Sequence, residues 1–223
     1  MINPFQKRSI LSVVAMLIGV PAASANPMLN VTGGQLSATR GPATYGWAFD
    51  VLWPSGIAVT HLSLYDFLQN GLAEPHEIGI WDSNQVLRAM GVVPAGPSTP
   101  FDATGKFRTV AIPPVYLAPG TGYTIGAFYP REDTGDFALY RAMGLQVDPM
   151  IQYAGGRAAF ESDLAYPAVS MDRVVPAVNP AFIGPSFQAI PVPEPRAVFL
   201  LAMGALAGAV GFIGRSRRPG TAR

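Results

Sequence analysis

From Asn26 to Ala189 the apolar residues come in short runs divided by Gly, Pro, Asn and Asp, and no run keeps the three-to-four spacing of an amphipathic helix. Gly46 to Val51 alternates, with Trp47, Phe49 and Val51 on one face and Ala48 and Asp50 on the other. Ile57 to Phe67 is β-branched and aromatic, and its set Ala58, Thr60, Leu62 and Leu64 is expected to point inward. Ile78 to Trp81 reads as a short strand. Asp82-Ser83-Asn84-Gln85 then supplies a hairpin turn, because Asp and Asn tolerate turn geometry, and Val86 to Val93 is the returning strand. Lys106 to Ile112 and Tyr123 to Tyr129 continue the pattern, joined through Pro113-Pro114 and Pro119-Gly120. Further strands are expected near Ile151–Tyr153, Ala158–Phe160 and Ala181–Phe187. Strands at this spacing without helices predict an all-β fold, an antiparallel β-sandwich. Pro94 to Thr104, with three prolines, is expected to be a surface loop. Pro176 to Pro195 holds six, and its end is expected to be a linker.

The two ends follow a different grammar. Lys7 and Arg8 precede an apolar core of eleven residues, Ile10 to Val20, and Ala23-Ser24-Ala25 follows. That order is the layout of a secretory signal peptide over residues 1–25, handled by the Sec translocon and cut by signal peptidase after Ala25. The core is too short to span a bilayer comfortably. At the other end, Ala197 to Ile213 is a run of seventeen residues without a charge, closed by Arg215, Arg217 and Arg218. At 1.5 Å per residue a helix over that run covers roughly 26 Å, enough for a thin bilayer. The arginines belong on the cytoplasmic side, which places the body outside.

Pro193-Glu194-Pro195, one apolar span and a short arginine-rich tail, in that order over residues 190–223, resemble the sorting signal called PEP-CTERM. The resemblance implies a Gram-negative bacterium that builds extracellular polysaccharide and biofilm. It also implies recognition and processing by exosortase, a membrane-embedded cysteine protease. Localisation would then be transient anchoring in the inner membrane, followed by the cell surface or extracellular matrix. The two prolines flanking Glu194 disfavour helix and leave an extended segment that a protease can engage.

The net charge of +1 hides an asymmetry. Between Asn26 and Val192 stand eight basic and thirteen acidic side chains, a balance of −5. A body of that sign lacks the positive surface that displaces counterions from phosphates, so nucleic acid is not an expected partner. Cysteine is absent, which excludes disulfides, thiolate zinc sites, iron–sulfur clusters and a cysteine nucleophile. Roughly 165 residues suffice for a core without such staples, burying on the order of 70% of the unfolded chain's surface.

Within the body, His76-Glu77-Ile78-Gly79-Ile80-Trp81-Asp82 with Val86-Leu87 carries a second resemblance, together with Phe107-Arg108, Pro114-Val115-Tyr116-Leu117, Gly120 and Tyr123-Thr124-Ile125-Gly126-Ala127. These are similar to a recurrent β-sandwich domain of unknown function in secreted bacterial proteins. Over Leu36 to Pro130 it implies a jelly-roll-like fold and no catalytic set.

Candidate chemistry is sparse. His61 and His76 are the only histidines, and no G-x-S-x-G nucleophile elbow occurs, so no catalytic residue is assigned. His61 reads as a half-exposed strand residue and His76 as turn-and-strand packing. Glu74, His76 and Glu77 offer ligating atoms, but on a strand His76 and Glu77 face opposite ways, which disfavours a metal site. The acidic loop Arg131 to Asp136 offers Asp133, Thr134 and Asp136; calcium is the cation such oxygens would take, and a solvated hairpin tip is the plainer reading. Trp81, His76 and Tyr129 are candidates for a ligand face, with sugar stacking weighed against aromatic core packing. The expectation is a non-catalytic structural or polysaccharide-associated protein of the envelope or matrix; the alternative is an envelope glycan hydrolase.

Overall fold

The computed structural model describes residues 27–37, 41–102, 106–131, 135–171 and 183–194. The expected signal peptide, Pro195, the apolar run 197–213 and Arg215, Arg217 and Arg218 lie outside the described residues. Among the described residues there are fourteen strands and no helix, hence no helix long and apolar enough to cross a membrane. The first six strands are β1 (Leu29–Asn30), β2 (Gly33–Ser37), β3 (Ala43–Val51), β4 (Ile57–Tyr65), β5 (His76–Trp81) and β6 (Leu87–Val93). Then come β7 (Phe101–Asp102), β8 (Phe107–Leu117), β9 (Gly120–Tyr129) and β10 (Ala138–Met143). The last are β11 (Gln146–Val147), β12 (Ile151–Ala159), β13 (Val169–Ser170) and β14 (Pro185–Pro191). Pairing is antiparallel throughout: a six-stranded sheet β13-β12-β3-β9-β5-β6, a four-stranded sheet β14-β4-β8-β7, and the short pairs β1–β11 and β10–β2.

The alternation in β3 sends Trp47 and Phe49 into the core. There the Trp47 ring stacks on Phe187 of β14 at 5.9 Å, and Phe49 lies 5.0 Å from the same ring. Residues of both large sheets thus share one buried cluster, and each aromatic removes roughly 150–250 Å² from water. Trp47 Nε1 donates to Pro185 O at 2.8 Å, so its polar atom is satisfied in the interior.

The β5–β6 hairpin forms as expected. Asp82 accepts hydrogen bonds from the Asn84 and Val86 amides at 2.9 and 3.0 Å, and Gln85 takes the left-handed φ of 62° that the turn needs. On the outer face, Gly79, Gly126 and Gly46 are register partners across β5, β9 and β3. A Cβ at Gly79 would stand 2.6 Å from the Trp81 ring, so the indole packs directly against glycine, with the Tyr166 ring edge-on to it at 6.1 Å.

Several expectations are corrected. The inward set proposed for β4 holds only at Leu62 and Leu64: Ile57 and Val59 are buried instead of Ala58 and Thr60, because a bulge between Val59 and His61 reverses the phase. Pro113-Pro114 does not join two strands but lies inside β8. It occupies the irregular stretch between the pairs His61–Ala111 and Val59–Val115, where no ladder N–H is required. Ile151–Tyr153 and Ala158–Phe160 belong to one strand, β12, bulged between Tyr153 and Gly156. Within the expected loop 94–104, Phe101–Asp102 forms β7. The expected linker is in part β14, which pairs with β4 along its length. Val192 follows it, donating to Gly56 O at 3.0 Å and accepting from the Ser55 hydroxyl.

Candidate functional site

His76 opens β5 on the same face as Ile78 and Ile80, and the alternation buries it to 1% exposure. Glu77 faces the other way, as its position predicts. His76 Nδ1 lies 2.9 Å from Phe128 O, an atom that only accepts, so Nδ1 carries the proton and donates. Nε2 lies 2.9 Å from Asp136 Oδ2. Asp136, 6% exposed, also accepts from the Ala73 amide at 3.0 and 2.9 Å and from the Glu74 amide at 3.1 Å. The Tyr129 ring meets His76 edge-on at 4.9 Å. Burial pushes the Tyr129 phenol well above the usual tyrosine range, and the Asp136 charge and Tyr45 add to the rise.

This cluster brings together three residues singled out separately in the sequence: His76, Tyr129 and Asp136. They do not form an exposed ligand face, and Trp81, the other candidate, lies buried on the far side of the sheet. Both ring nitrogens of His76 are engaged, so neither is free to take a proton from a serine. Glu74 points away, 3.1 Å from the Arg131 guanidinium at the surface. Asp133 lies outside the described residues. Among the described residues no group of three or more His, Asp or Glu side chains is arranged to hold a metal.

A second cluster supports a loop. Arg108 Nε donates to Asp66 Oδ2 at 2.9 Å, both side chains being buried. Arg108 Nη1 donates to Pro97 O and Thr99 O at 2.8 and 2.9 Å, and the guanidinium lies 4.6 Å from the Phe101 ring centre. Asp66 in turn accepts from the Gln69 and Gly71 amides at 2.8 and 3.0 Å. The charges are paired and hydrogen-bonded, which is the condition for burying them, and they hold Pro100 and Phe101 in place.

Above that support, on the face of the four-stranded sheet away from the core, lies an open depression of about 350 Å³. It is lined by His61 of β4, Thr109 and Ala111 of β8, Gln188 of β14 and Pro100, Phe101 and Asp102. His61 sits between its register partners Gln188 and Ala111, which is how the sheet assembles the lining. An imidazole, an amide, a hydroxyl and a carboxylate beside an aromatic ring can exchange hydrogen bonds with a hydroxyl-rich ligand. Acid–base cleavage of a glycoside uses two carboxyl groups, one on each side of the bond, and among the described residues the lining offers Asp102 alone.

Compared with known families, with characterised proteins and with solved structures, the chain matches none.

His61 was visible in the sequence as a half-exposed strand residue. Gln188, Asp102 and the Arg108–Asp66 pair were not singled out. The signal that would have found them is the register of β4 against β8 and β14, which no local pattern contains.

Proposed function

We propose that this chain is an exported protein, sorted through a PEP-CTERM-type C-terminus by an exosortase. Its body is a jelly-roll-like β-sandwich with a structural or polysaccharide-associated role at the cell surface or in the extracellular matrix. The observation that carries the reading is the order after Val192: Pro193-Glu194-Pro195, a charge-free run and an arginine cluster, joined directly to the last strand. The flanking signal and transmembrane helices are part of this proposal. A non-catalytic body is supported by the closed His76–Asp136 pair, whose ring nitrogens serve the fold. The depression beside His61 supplies the hydroxyl-binding chemistry for a polysaccharide.

The route is tested by expressing the full chain in a host with this sorting system, with and without its exosortase. The expected result is a shortened form at the cell surface only when exosortase is present; identical size and location in both hosts refutes the route. The body's role is tested on the host's exopolysaccharide, with and without calcium, while released sugar is assayed. Saturable binding without release is expected, and release of sugar would favour the hydrolase instead.

A further inference from the structure

The end of β14 ties one end of the domain to whatever follows it. Val192 is bonded to Ser55 and Gly56 of the β3–β4 turn, so the chain leaves the fold beside that turn. Five Cα steps separate Val192 from Ala197, the first residue of the charge-free run, and extended chain covers at most about 18 Å over that distance. A headgroup layer alone accounts for roughly 5–7 Å of it. An anchored domain therefore keeps this end within about 11–13 Å of the lipid surface.

The composition of that end fits the position. Leu52, Trp53 and Tyr116 are 53%, 39% and 50% exposed. The Leu52 and Trp53 amides both donate to Met150 O, at 2.8 and 3.3 Å, and the Gly56 amide donates to Trp53 O at 2.9 Å, so the turn is braced from behind. Tyr116 joins the same surface: its hydroxyl donates to Ser55 O at 3.2 Å, and a Cβ at Gly56 would stand 2.5 Å from its ring. Segments 51–57, 113–120 and 190–193 contain no charged residue, while Asp50, Asp148 and the Asp82–Arg88 pair stand at the same end on the neighbouring strands and turns. The opposite end carries the exposed Arg131, paired with Glu74. Trp and Tyr, apolar bodies with a polar tip, are the residues that settle at a lipid–water interface.

We propose that the β3–β4 turn and Tyr116 form a membrane-contact rim, with Leu52, Trp53 and Tyr116 seated in the headgroup layer of a lipid bilayer while the chain is anchored. The inference rests on the anchoring part of the proposed function.

The test uses the full chain in phosphatidylethanolamine–phosphatidylglycerol vesicles, plain or carrying lipids brominated near the headgroup. The chain has three tryptophans, and Trp47 and Trp81 are buried, so bromine contact reports Trp53. The chain is expected to float with the vesicles, with bromolipid quenching at least about twofold greater for the parent than for Trp53→Phe. Flotation with equal quenching in parent and variant overturns the rim and leaves the anchor standing. Failure to float overturns the anchor and the rim with it. Protection of Trp53 from aqueous iodide without bromolipid quenching would mean that a second copy covers the rim, and also overturns the proposal. The absence of cysteine permits a check that does not alter Trp53: an environment-sensitive dye on Leu52→Cys is expected to shift to the blue in vesicles, and the same dye on Leu68→Cys, exposed at the opposite end, is not.

Discussion

Replacing Tyr129 by Phe removes one oxygen from a place that gives it nothing to bond. The residue ends β9 at 1% exposure, its ring against His76 and Tyr45, and among the described residues its hydroxyl has no hydrogen-bond partner. Gly184 makes the space, since a Cβ there would lie 2.1 Å from the hydroxyl oxygen. Leaving a buried hydroxyl unpaired costs about 1–3 kcal/mol. Deleting the oxygen opens a hole of roughly 15 Å³, worth about 0.4 kcal/mol at ~24 cal/mol per Å³. Tyr129→Phe is therefore expected to stabilise the fold at pH 7 by about 1–2 kcal/mol. The pH dependence provides a second handle. Burial raises the folded phenol above its unfolded value near 10, so its contribution is fully present below about pH 10 and is lost as pH rises, by about 1.4 kcal/mol per pH unit. Phe has no proton to lose, so the variant's advantage over the parent should widen by that amount per unit above pH 10. Tyr65 and Tyr123, also raised by burial, remain in both proteins and cancel in the comparison. Urea unfolding of the full chain in detergent, followed by near-UV circular dichroism at pH 7 and pH 11, measures both effects. A variant less stable than the parent at pH 7, or a difference that is the same at both pH values, would refute the reasoning.

Asp66→Ala leaves the Arg108 guanidinium buried without its carboxylate and is expected to cost about 3–5 kcal/mol. By calorimetry that is a midpoint lower by roughly 6–20 °C; an unchanged midpoint would show the pair to be energetically idle. Gly46→Ala places a Cβ 1.9 Å from Ile125 O, a backbone atom that cannot step aside, and should abolish the native near-UV spectrum. Gly33→Ala meets only the Met143 methyl at 3.7 Å and should retain it. His61→Ala, in the open depression, should change stability by no more than about 0.5 kcal/mol, and both His61→Ala and Asp102→Ala should weaken polysaccharide binding. Equal binding by both variants and the parent would remove the depression from the proposal.

The elements legible in the sequence are those whose signals are local. The alternation of β3 and the Asp82–Gln85 turn are set within a few residues and formed where expected. The phase of β4 and the place of Pro113-Pro114 were not legible, because both depend on a bulge created when two strands about fifty residues apart are paired. β14 was legible only at its start: a strand was expected over Ala181–Phe187, but Gln188 to Pro191 went to the linker because of the prolines, yet Pro185 and Pro191 stand at the two ends of a strand, where proline is tolerated. Asp136 reads as the tip of an acidic turn because its partners, Ala73, Glu74 and His76, lie some sixty residues earlier. Trp81 alternates like a surface aromatic, and only Tyr166 and the glycines beneath it explain its burial.

β14 also connects the architecture to the proposed route. Its partner on one side is β4, and its Phe187 ring fills the core beside Trp47 and Phe49. Its other side is knitted to the start of the body: the Met28 amide donates to Phe187 O at 2.8 Å, the Ser186 hydroxyl donates to Leu29 O at 2.9 Å, and Pro27 bridges Gln188. The first and last described residues therefore form one seam, closed by contacts more than 150 positions apart, the kind that form only after the intervening chain is in place. The body cannot complete this seam until Gln188 is in place. The seam also limits where the chain can be cut without harm. Removal of residues 1–25 stops short of Pro27, and a break after Val192 leaves the bonds to Ser55 and Gly56 intact. A break before Val192 would open the end of β14 that pairs with Ile57, at the same turn that carries Trp53. If the proposed route operates, a processed form that keeps the bonds to Ser55 and Gly56 retains Val192, and intact-mass measurement should place its C-terminus at Val192 or beyond.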